Sequence, residues 1–114
     1  MKVNVSNMEI NTVYRFGENY IWSIIRDTAS NGEQLPKPTK LTEVYRIDSM
    51  GLMKKIASGI LHVDPKDNNR FTIYDYAQKR ELAFTYDDSL KKVNLNDLYR
   101  MQSAIEERYE KKRK

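Results

Sequence analysis

Residues 70–86 read RFTIYDYAQKRELAFTY, and this stretch decides the fold class. Two runs of aromatic and β-branched residues, 70–76 and 81–86, are parted only by the short AQKR loop, which predicts a pair of antiparallel strands. Side chains alternate along a strand. On the first strand Phe71, Ile73 and Asp75 therefore face one way, and Thr72, Tyr74 and Tyr76 the other. On the second, Leu82, Phe84 and Tyr86 form the apolar side.

Working outward, the same pattern recurs. Upstream, residues 53–63 (MKKIASGILHV) read as a strand from Ile56 onward, with Gly59 marking a bulge or a close backbone approach. Residues 41–48 (LTEVYRID) alternate, Val44 opposed to Tyr45 and Ile47, and Gly51 in SMGL suits a turn that needs positive φ. Residues 12–16 and 20–26 flank Gly17-Glu18-Asn19, a three-residue connection expected to close a bulged hairpin. Ile21, Ile24 and Ile25 also share a helical face, so residues 20–26 favour a strand with a helix as the alternative. Between these strands, residues 27–40 are expected to be the longest loop, its second half held extended by Pro36 and Pro38. DPKDNN, 64–69, reads as a turn.

Downstream, residues 95–112 carry an apolar stripe of Leu95, Leu98, Met101, Ile105 and Tyr109, with Asn94 as the N-cap and Asp97 in the first turn. The expected architecture is α+β and mainly β. It is a small curled antiparallel sheet or partly open barrel of about six strands, followed by a C-terminal amphipathic helix, in a single domain spanning 1–114.

Composition narrows the chemistry. The absence of cysteine removes disulfides and thiolate chemistry, and a single histidine leaves little for an intramolecular zinc site. No run is apolar enough for a secretory signal or a membrane span, so a cytoplasmic protein without membrane partners is expected. The net charge of +4 suggests a polyanion partner. Yet the first 110 residues hold 16 basic and 16 acidic side chains, and Lys111, Lys112, Arg113 and Lys114 supply the whole excess. Glu107 with Lys111 and Glu110 with Lys114 are i,i+4 pairs in the favourable order, so helix electrostatics already explain the tail.

Four chemical readings compete. His62, alternating with Ile60 on a strand, is more often a surface residue than a base. Asp64, Asp67, Asp75, Asp87 and Asp88 lie at or near strand ends where a divalent cation gathers ligands, but all except Asp75 lie in turns where aspartate bonds its own backbone. No cofactor is expected. Arg70, Lys79, Arg80, Glu81 and Tyr74 lie near one hairpin and match the needs of a metal-free ribonuclease. Tyrosine supplies eight of the twelve aromatic residues, and a face bearing Tyr74 and Tyr76 is either half of a two-sided core or a binding surface.

The leading expectation is a non-enzymatic binding or adaptor module that regulates or inhibits a macromolecule by protein–protein docking, through Tyr74, Tyr76, Arg70 and Arg80, with Trp22 as a further anchor. The alternatives are nucleic-acid binding, by tyrosine stacking and phosphate contacts from Lys111–Lys114, and the ribonuclease. Frequent Asn, Lys, Ile and Tyr suit an AT-rich genome, as in a phage or mobile element. Oligomeric state is not legible.

Overall fold

The computed structural model describes residues 3–67, 69–86, 90–94 and 96. The helix expected over 95–112, the basic tail Lys111–Lys114, and Asp87 and Asp88 lie outside the described residues.

Among the described residues seven antiparallel strands form one sheet: β1 (Tyr14–Phe16), β2 (Asn19–Thr28), β3 (Gln34–Ile47), β4 (Met53–Val63), β5 (Arg70–Asp75), β6 (Arg80–Thr85) and β7 (Lys91–Lys92). The order is β6-β5-β4-β3-β2-β1-β7, so the first six strands meander and the last pairs beside the first. The six expected strands are present, residues 20–26 belong to a strand, and β7 is an addition. No apolar pattern marks β7, because it is only two exposed lysines held by pairing with Tyr14 and Arg15.

Three further local expectations are refined. Phe16 pairs directly with Asn19, so the first hairpin turns on two residues, with Gly17 at φ 56°. A glycine at that first turn position supplies the backbone twist that matches the strands. The region 27–40 is not one long loop: its second half is strand. Arg26 pairs with Thr39 but Thr28 with Gln34, so a bulge on β3 takes up the extra residues and contains both prolines. A proline cannot donate to a ladder, and a bulge is where a strand tolerates one. Gly59 is a close approach, since a Cβ there would stand 1.5 Å from the carbonyl oxygen of Tyr74. The nearby bulge falls instead at Ile56, where Val44 pairs with Ala57 and Tyr45 with Lys55.

The sheet is strongly curled. Four strand spacings of about 4.8 Å would hold β1 and β5 roughly 19 Å apart in a flat sheet. The rings of Phe16 and Phe71 nevertheless meet at 5.7 Å between centroids. Tyr86 packs against both. This inner face buries Tyr14, Ile21, Val44, Ala57 and Ile73, and the N-terminal segment closes it with Val5 and Met8. A Val3–Leu90 bridge ties that segment down. Two inner tyrosines keep their hydroxyls paired: Tyr86 accepts from the Val5 amide at 3.2 Å, and Tyr14 from the Glu9 amide at 2.9 Å. Those bonds remove the cost of burying a phenol. Edge strands β6 and β7 do not pair with each other, so the sheet is open among the described residues. No helix among them is long and apolar enough to cross a membrane.

Candidate functional site

The outer face is defined by the register that carries Trp22 opposite Glu43, and Glu43 opposite Ser58. At its centre Glu43 is fully buried. Its carboxylate accepts two bonds from Arg26, Nε to Oε2 and Nη2 to Oε1, each 3.0 Å. Ser58 Oγ donates at 2.9 Å, Tyr45 Oη at 3.2 Å, and Lys55 Nζ stands 3.3 Å away. Burial alone would raise the pKa of this group. The bonds from Arg26 and Ser58 and the charge of Lys55 outweigh it, and the carboxyl is held below its usual range. Burial first, and then the Glu43 charge, push the Tyr45 phenol up, so it stays a neutral donor.

Aromatic rings surround this ion cluster. Trp22 stacks on Tyr45 with centroids 4.4 Å apart, and Lys55 Nζ lies 5.7 Å from the centre of the Tyr45 ring. Val13 and Tyr20 continue the patch toward β1, joined by Val93. On the other side the tip of the β2–β3 hairpin folds over the face, burying Ala29 and Leu35 with Leu41 against Ile60 and Tyr76. Tyr74 and Tyr76 meet edge to face at 5.5 Å. Both are half-buried, as is Trp22, so they are neither sealed core nor freely presented.

Arg70 is exposed on the same outer face as Tyr74. Arg80 is not: it pairs with Asp75 in the inner-face register, and its Nε bonds Gln78 Oε1 at 3.1 Å. The two arginines sit at opposite ends of the hairpin, five residues or roughly 17 Å apart. Trp22 lies three strands from Tyr74, across Glu43 and the β4 row.

The aspartates divide cleanly. Asp64 and Asp67 accept from the amides of Lys66 and Asn69 within their turn. Asp75 is buried and accepts from the amides of Ser58, Ala77 and Gln78, locking the β5–β6 turn to β4. Among the described residues no group of three carboxylate or histidine side chains gathers as a metal set.

Glu43, Arg26 and Lys55 were absent from the sequence-derived candidates. One signal was available: Leu41, Tyr45 and Ile47 share a strand face with Glu43, and a lone carboxylate on an otherwise apolar face needs a cation. The chain matches no protein-family model, no curated protein and no solved structure.

Proposed function

We propose that this chain is a small binding module that docks a protein partner through the outer face of its curled sheet. The observation that carries the reading is the pair of interlocked aromatic contacts, Trp22 on Tyr45 and Tyr74 on Tyr76, on one face with a buried ion cluster between them. Rings fixed in this way lose little freedom on association, and half-buried Tyr, Trp and Arg are the residue types that anchor protein interfaces. Arg70 extends the same face, while Arg80 opens β6 in the inner-face register and contributes less.

The test uses tagged full-length chain in its native cell, compared with a Tyr74→Ala/Tyr76→Ala variant whose thermal unfolding is checked first. The intact chain should hold a partner at stoichiometric yield, and the folded variant should bind that purified partner at least about 30-fold more weakly, as expected for losing two anchor rings. Equal binding by the two chains overturns the choice of face.

One observation favours nucleic acid as a second reading. The paired outer positions carry Arg15, Arg26, Lys55, Arg70 and Lys91 against only Glu43 and Glu81. Arg26 and Lys55 are already committed to Glu43, which is why this reading comes second. It requires that labelled single-stranded RNA or DNA bind at low salt, and that deleting residues 111–114 flatten the salt dependence.

A further inference from the structure

The outer surface of the β4–β5–β6 corner holds a depression of about 290 Å³, lined by His62, Asp64, Pro65, Arg70, Thr72 and Glu81. It lies apart from the Glu43 cluster and takes no part in the docking contacts of Trp22 and Tyr45. Its residues come from three adjacent strands in a definite order. His62 on β4 pairs with Thr72 on β5, and Glu81 on β6 pairs with Tyr74, the next outer residue of β5. Arg70 stands on the other side of Thr72. An imidazole and a carboxylate thus flank a central row that offers a guanidinium and a hydroxyl, two strand spacings or about 9–10 Å across between their strands. All the charged members are solvent-exposed except the half-buried Asp64.

That order matches the needs of an in-line displacement at phosphorus. The proton acceptor and the proton donor must stand on opposite sides of the phosphoryl group, and hydrogen-bond donors must face its equatorial oxygens. We infer that His62, Glu81, Arg70 and Thr72 form a metal-independent site that cleaves single-stranded RNA. The Glu81 carboxylate takes the proton of a ribose 2′-hydroxyl as O2′ bonds to the adjacent phosphorus. The P–O5′ bond breaks, and the leaving 5′ oxygen takes its proton from the His62 imidazolium. Arg70 and Thr72 donate to the non-bridging oxygens, where negative charge accumulates. The products are a 2′,3′-cyclic phosphate and a 5′-hydroxyl; Glu81 and His62 then return to their starting protonation through water. Asp64, at the rim, has its Oδ1 engaged by the Lys66 amide and is given no role in the transfer.

The test incubates purified full-length chain with end-labelled random-sequence RNA in EDTA, beside a pool of the same length carrying 2′-O-methyl riboses. RNA should be cut to cyclic-phosphate ends while the methylated pool stays intact, because it lacks the attacking hydroxyl. His62→Ala and Glu81→Gln should each slow cleavage about 10²–10⁴-fold, the usual worth of one acid or base. Both side chains are exposed, and unchanged thermal unfolding of the variants will show that the fold survives. Glu18→Gln, exposed in the β1–β2 turn and remote from the depression, should cut at the original rate. Intact RNA, cleavage of the methylated pool, or undiminished cleavage by the two variants each overturns the inference. Failure here leaves the docking reading standing, since the two share only Arg70 and are followed by different readouts.

Discussion

At the scale of single residues, Gly59 has no room for a side chain. The obstacle to a side chain is the backbone of β5, with the Tyr74 carbonyl oxygen 1.5 Å and its carbon 2.4 Å from where a Cβ would stand. Backbone in a paired strand cannot step aside as a flexible side chain can. Gly59→Ala is therefore expected to cost more than about 3 kcal/mol, read as a fall in the midpoint of urea unfolding, and to part β4 from β5 locally. A variant as stable as the parent would contradict this geometry. A glycine inside a strand pattern was enough to flag the position in the sequence, but whether it marked a bulge or a close approach depended on which strand lay beside it. The same holds for Asp75: its place at a strand end was legible, whereas its three backbone donors come from two separate segments and were not.

At the scale of elements, β3 ties the outer face together because it brings Glu43 within reach of cations on both neighbouring strands. With its carboxyl held below the usual range, Glu43 binds fewer protons folded than unfolded, so its contribution to stability is complete above the unfolded value near 4.5 and is lost as pH falls through the folded value. Thermal unfolding followed from pH 7 to pH 3 should show a loss below about pH 4.5 that is smaller in a Glu43→Gln variant. Equal slopes for the two chains would count against the ion cluster. The extent of the strands was largely visible in the sequence. Strand residues within 34–40 were hidden because proline is a reliable mark of irregular backbone, and here the irregularity is a bulge that the strand survives. The apolar face around Glu43 called for a cation, but which cations answer was not legible, since Arg26 and Lys55 are distant from Glu43 in sequence and only the register between three strands collects them.

At the scale of the whole molecule, curl rather than closure makes the core. An open seven-stranded sheet could leave one apolar side exposed; here Phe16 and Phe71 meet across the concavity, and the N-terminal segment fills what remains. Phe71 is fully buried and also packs on Phe84 and Tyr86. Its replacement by alanine removes the contact that joins β1 to β5, with an expected loss of about 3–5 kcal/mol in chemical unfolding. A loss below about 1 kcal/mol would mean that the curl is held elsewhere. Mainly-β character and a curled sheet follow from the spacing of strands and turns, and both are present. The partner of β1 on its far side does not follow, because Lys91 and Lys92 carry no apolar signal and are strand only by virtue of what they pair with.

That last pairing has a consequence for how the chain is made. Strands β1 to β6 are successive hairpins, so each can zip onto its predecessor as it leaves the ribosome, with little loop entropy to overcome. The outer edge of β1 and the Val3 backbone wait for Leu90–Lys92. At about 5–20 residues per second, the first strand is synthesised several seconds before its second neighbour. During that interval the outer edge of β1 is unpaired, and the segment that caps the inner face is held only at its Glu9–Asn11 end, by β1 and β2.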